Sequence, residues 1–152
     1  MRLLAVLLVL GLLIPLAMVS DASPQKEGKR RAINLGGATS TLPFSDAIQV
    51  GDTLYLSGRI GLDPKTGQAP ADLDTEMQIL FDGMKATLKE AGMTMDDLVY
   101  VQVFCTDLSL YDKFNAAYRA HFTKDFPARA FIGSGHLLRG GHFEIQAIAV
   151  KR

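Results

Sequence analysis

Phe126-Pro127-Ala128-Arg129-Ala130-Phe131 is followed, after an interval holding Gly133, Gly135, Gly140 and Gly141, by His142-Phe143-Glu144-Ile145-Gln146-Ala147-Ile148-Ala149-Val150. Both flanks read as strands. In the second, Phe143, Ile145, Ala147 and Ala149 fall on one side and Glu144 and Gln146 on the other, the two-residue period of a half-buried strand. The glycines between them are enough to reverse the chain. The two strands are therefore expected to pair and to bring Arg129 near Glu144. A guanidinium and a carboxylate set among apolar residues need partners. Either they satisfy each other as a strand salt bridge, or they line a pocket for a polar ligand. Spacing alone favours the salt bridge.

Working outward, the chain has 152 residues, 48% hydrophobic and 21% charged, enough for one domain with its own core. Lys+Arg and Asp+Glu both number 16, so the net charge is zero, which argues against a nucleic-acid footprint. Met1-Arg2 gives a short basic start, Leu3 to Val19 is uncharged and Leu/Val-rich, broken only by Gly11 and Pro15, and Ser20-Asp21-Ala22 offers small residues for a cut after Ala22. That layout predicts a signal peptide over 1–22 and an exported protein, periplasmic or secreted. An uncleaved anchor is the competing reading and the only route by which the chain would meet a membrane. Residues 23–31 then form a polar leader, and 32–152 the single domain.

Ala32 to Leu35 predicts a short edge strand. Ala47–Val50 and Thr53–Ser57 flank Gly51-Asp52, a hairpin signature. Asp63-Pro64-Lys65-Thr66-Gly67 is turn chemistry. Asp72 can cap a helix running to about Ala91, with Met77, Leu80, Phe81, Met84 and Leu88 on one face and Gly92 as its stop. Leu98 to Thr106 reads as a strand with Val99, Val101, Val103 and Cys105 inward. Ser109 is expected to cap a second helix buried through Tyr111, Phe114, Ala117 and Tyr118. Asp96-Asp97 reads as a turn or cap. Cys105, the single cysteine, reads as a small buried hydrophobe. His121, His136 and His142 lack ligand spacing, so no metal site is expected. The element order predicts an α+β fold: one mixed β-sheet with two helices packed on one face.

Phe126-Pro127-Ala128-Arg129, the Glu144-Ile145-x-Ala147-Ile148-Ala149-Val150 strand, Ser57-Gly58 and Pro64-Lys65-Thr66-Gly67 together resemble the RidA (YjgF-type) family of imine deaminases. The similarity spans Ile33 to Arg152. It implies a chorismate mutase (AroH)-like fold and a homotrimer with sites in clefts between subunits. It implies a small-molecule ligand, a 2-imino acid or related carboxylate, hydrolysed to a 2-keto acid and ammonium with no metal or organic cofactor. In that reading Arg129 binds the substrate carboxylate through a bidentate fork, and Glu144 holds or deprotonates the attacking water. Ser57 and Gly58 line the site. Backbone groups near Phe131 and Gly58 position the imine in that reading; Phe44 stands where the family carries a tyrosine over the substrate, and Phe131 where many members carry cysteine. Arg59 replaces a glutamine, Gln146 a glutamate, and His136 to Gly141 a loop that usually carries Leu-Pro-Lys. These departures imply a shifted substrate preference or a reduced rate. The alternative is a non-catalytic trimer, either a small-carboxylate binder or a chaperone-like protein. The family's older endoribonuclease reading fits poorly with zero net charge and a signal peptide.

Overall fold

The computed structural model describes residues 29–36 and 42–152. The predicted signal peptide, most of the leader, and the interval 37–41 lie outside the described residues. Six strands form one sheet: β1 (Arg30–Ile33), β2 (Ala47–Val50), β3 (Thr53–Ile60), β4 (Leu98–Cys105), β5 (Ala128–Gly133) and β6 (Phe143–Val150). Two helices, α1 (Leu73–Glu90) and α2 (Tyr111–Arg119), join them into a mixed α+β fold. The first strand begins at Arg30, inside the stretch assigned to the leader. Both arginines stay exposed on this edge strand, so their charge does not oppose pairing, and Arg31 reaches Glu90 at 2.7 Å.

The sheet order is β1-β2-β3-β6-β4-β5. Every neighbouring pair is antiparallel except β4 and β5, which run parallel. This overturns the expected hairpin of β5 and β6: the two do not pair, because β4 lies between them. The reason is the connection through α2. A strand, a helix and a strand make a crossover that suits parallel pairing, and β6 then enters between β3 and β4.

Local signals account for most element ends. Gly51 turns the β2–β3 hairpin with φ 58. Asp72 caps α1 by accepting a hydrogen bond from the Thr75 amide at 2.8 Å. Gly92 follows the helix with φ 70. The second helix differs from expectation. Asp107, not Ser109, caps its preceding turn, accepting from the Ser109 amide at 2.9 Å, and α2 starts only at Tyr111. Tyr111 is accordingly exposed, while Phe114 and Tyr118 are buried. Asp97 caps its own turn, accepting from the Thr94 amide, whereas Asp96 reaches across the fold to accept from the Thr123 amide.

The core fills one side of the sheet. Leu54, Leu56, Val101, Val103, Phe143 and Ile145 meet Met77, Leu80, Phe81, Met84 and Leu88 of α1 and Phe114 of α2, all fully or nearly fully buried. Cys105 is buried with them, and burial pushes its thiol above the usual range, as an inert core residue requires. Val99 breaks the expected alternation. The register shifts between Leu98 and Tyr100, which turns Leu98 inward and leaves Val99 43% exposed. No described helix covers the opposite face. There Tyr55 pairs with Ile148 and Ile148 with Tyr100, a row of apolar side chains with both tyrosines exposed.

Candidate active site

The register fixes where the two charged residues go. Arg129 lies beside Val101, and Val101 beside Ala147, both buried on the helix side. Glu144 lies between Ile60 and Phe104 and alternates with buried Phe143 and Ile145, so it projects from the other face. Two strand spacings, about 10 Å, and three residues of register separate them. The intrachain salt bridge is therefore excluded, and each residue belongs to its own cavity.

The Glu144 cavity has a volume of about 620 Å³ and is lined by Phe44, Ser57, Gly58, Ile60, Arg139 and Glu144 among others. A register shift between Leu56 and Arg59 leaves Ser57 and Gly58 outside the regular pairing of β3 with β6, and the Glu144 carboxylate reaches over Gly58. The Ser57 hydroxyl donates to the Ser45 carbonyl at 2.7 Å, and the Ser57 amide to the Asp46 carbonyl at 3.0 Å. These bonds fasten the 42–46 loop to β3 and hold Phe44, 54% exposed, at the cleft rim. Arg59 does not join them. The register puts it beside buried Ile145, on the helix side, where it meets Asp46 at 2.7 Å and Thr87 at 3.3 Å. The Glu144 carboxylate makes no ion pair or hydrogen bond among the described residues. A carboxylate left bare in a largely apolar cleft is free to take a proton from, or orient, whatever enters.

The Arg129 cavity is smaller, about 310 Å³, and lies between α2 and β5. Asn115 Oδ1 accepts from Arg129 Nη2 at 2.6 Å, and the guanidinium carbon lies 4.6 Å from the centre of the Tyr118 ring. Stacking on an aromatic face and one amide contact fix the fork while leaving donors for a ligand. No acid pairs with Arg129 among the described residues. Tyr118 is 4% exposed with its hydroxyl unpartnered, and burial pushes that hydroxyl up to about 12. Phe131 packs edge-on against Tyr111 and beside Phe114. It sits on the Arg129 side of the sheet as part of an aromatic cluster, away from the Glu144 cleft.

Several contributors were not legible from sequence. Asn115 is a lone amide on an otherwise apolar helix face, and that contrast was the available signal. Glu76, a first-turn glutamate that reads as a solvated dipole partner, is fully buried. It accepts from the His142 amide at 2.7 Å and the Phe143 amide at 3.1 Å, and its other oxygen meets His142 Nδ1 at 2.7 Å. It thereby sets the entry of the strand that carries Glu144. Arg139 gave no signal beyond its place in a glycine-rich loop.

Comparison with known proteins locates this arrangement. Residues 37–151 match the family model described as Endoribonuclease L-PSP. The 2-iminobutanoate/2-iminopropanoate deaminase of Escherichia coli K12 is 36% identical over 113 residues, covering 72% of this chain and 88% of that protein. The goat protein of the same name is 35% identical over 124 residues, covering 80% and 90%. The crystal structure of the YjgF gene product of Escherichia coli superposes with a TM-score of 0.73 at 34% identity, covering 80% of this chain and 99% of that one.

Proposed function

The chain belongs to the Endoribonuclease L-PSP family, the RidA or YjgF group, and on that premise we propose that it hydrolyses small 2-imino acids to 2-keto acids and ammonia. The observation that carries this is the unpartnered Glu144 carboxylate held against Gly58 in a preformed cleft. Relatives named as imine deaminases support the reaction class.

The chemistry asks little of the protein. The C=N carbon of a 2-imino acid is already electrophilic. Glu144 accepts a proton from water as the oxygen adds to C2, the C=N electron pair moves to nitrogen, and nitrogen takes that proton back from Glu144, which returns to its carboxylate. The resulting carbinolamine loses ammonia: its hydroxyl proton passes to nitrogen by way of Glu144, the C–N bond breaks, and C=O forms. One water is consumed and one ammonia leaves.

The substrate carboxylate is assigned to Arg129 of a second copy. Arg129 and Glu144 sit on opposite faces of one sheet, so one chain does not bring them to the same substrate. β5 is an edge strand, which leaves Arg129 where a neighbour can approach, and the uncovered row of Tyr55, Ile148 and Tyr100 supplies an apolar face for assembly. We propose a homotrimer with its sites between subunits, and export after removal of residues 1–22.

Light scattering should give three times the mass of the mature chain, and mass spectrometry of the exported protein should find Ser23 first. Purified protein should hydrolyse freshly generated 2-iminopropanoate. Glu144→Gln should retain binding of product-like keto acids and lose about 10²–10⁴-fold in turnover, the span of general acid–base catalysis. Arg129→Lys should fail nearly as badly as Arg129→Ala, because an ammonium lacks the fork. A folded Arg129→Ala protein that hydrolyses imines as well as the parent would overturn the assignment.

A further inference from the structure

We propose that Arg139 makes the Glu144 cleft selective for imino acids carrying a second carboxylate, an inference that rests on the imine-hydrolase reading above. Arg139 is the one cation lining that cleft among the described residues. It is also the one non-glycine residue with positive φ among the described residues, at 57°, in the turn Leu138–Gly140. A non-glycine residue in the left-handed region is uncommon and marks a local constraint. Here the constraint is visible. The Arg139 carbonyl accepts from the Ala69 amide at 3.0 Å, and Nη1 donates to the Gly67 carbonyl at 3.1 Å. Main chain and side chain are thus both tied to the 67–69 turn, which fixes the guanidinium at the cleft wall.

That guanidinium lacks a counter-charge. It forms no ion pair with any acid among the described residues, Glu144 included, although both line the same cavity. Its remaining donors suit a planar carboxylate, which a guanidinium holds bidentately. The cleft already has an assigned use for each end of a simple imino acid. Glu144 faces C2, and Arg129 of the neighbouring copy takes the adjacent carboxylate. A third charged group on the cleft wall then selects the side chain. A neutral side chain gains nothing from it, whereas a side-chain carboxylate replaces its water with a charge-assisted contact. The cavity, about 620 Å³, has room for the longer ligand.

The test uses the full mature protein and two matched pairs of ligands. Isothermal titration compares 2-oxoglutarate with 2-oxobutanoate, and turnover compares 2-iminoglutarate with 2-iminobutanoate. The parent should favour the dicarboxylate of each pair by about tenfold or more, the ordinary worth of a hydrogen bond to a charged group. Arg139→Asn keeps a residue that tolerates positive φ and should remove that preference; Arg139→Lys should keep part of it. Thermal melting checks that each variant is folded. A parent with no preference, or an Arg139→Asn protein that keeps it, overturns the proposal. Loss of both ligands in equal measure does so too, since Arg139 would then hold the common carboxylate. If neither imine turns over, the hydrolase reading fails, and the keto-acid preference still decides the role of Arg139.

Discussion

The carboxylate of Glu144 occupies the space that a side chain at position 58 would need. A Cβ built on Gly58 falls 2.0 Å from Glu144 Oε1 and 3.0 Å from its carboxyl carbon. The absent side chain is what lets β3 and β6 hold an acid between them, close to bare backbone.

Gly58→Ala should therefore leave the fold standing and displace Glu144. Misplacing a reacting group by about 1 Å costs on the order of a hundredfold in rate, and imine hydrolysis should fall by at least that much. Gly61→Ala makes the contrast. Its Cβ would lie 2.0 Å from the backbone oxygen of Glu76, which cannot swing away, so this variant should lose stability in a melting experiment. An active Gly58→Ala protein would show that Glu144 does not act from this position.

Asn115 orients the Arg129 fork and is not itself placed against substrate. Asn115→Ala should raise KM for the imino acid by about tenfold, within the range for a hydrogen bond to a charged group, with a smaller change in kcat. Asn115→Asp should be worse, because an ion pair would occupy the guanidinium. Steady-state kinetics separate these outcomes. An equal fall in kcat and no change in KM would point to a role elsewhere.

Glu76 holds the first residues of β6 from inside the core. Glu76→Ala leaves two amide donors without their acceptor and should cost about 2–5 kcal/mol of stability, measured by denaturant unfolding. Glu76→Gln keeps an acceptor and should recover part of the loss.

Tyr118 gives a pH signature. Burial holds its hydroxyl protonated up to about 12, against 10.0 for a free tyrosine, with the Arg129 charge pulling weakly the other way. The neutral form is favoured in the folded state, so its contribution to stability is complete below pH 10 and is lost as pH rises toward 12. Absorbance of tyrosinate should show a late-titrating group that Tyr118→Phe removes. The loss of stability over that interval should be shallower in the variant; identical slopes would contradict it.

The hairpin over 47–57, the start and stop of α1 and the alternation of β6 were all legible, because each rests on a local rule of turn, cap or period. The partner of β5 was not. Glycines after Phe131 signal a reversal, but they do not say which strand the chain returns to. The stronger signal was upstream, in the strand–helix–strand order of β4, α2 and β5, which calls for a parallel pair. The candidate residues were found by type and neighbourhood, while their distribution over two faces depends on that pairing. Glu76 and Asn115 stayed hidden because a glutamate in a first turn and an asparagine on a helix have ordinary surface explanations.

The separation of Arg129 and Glu144 onto opposite faces carries a genetic consequence. In the proposed trimer each site takes its arginine from one copy and its glutamate from the next. Two inactive chains, one altered at Arg129 and the other at Glu144, should then repair one another when refolded together. Random mixing in equal amounts reconstitutes both wild-type residues at roughly a quarter of the interfaces, by simple counting over a closed ring. Co-expressed alleles would complement in the cell as well, and a heterozygous mixture would keep a share of activity that neither parent allele possesses.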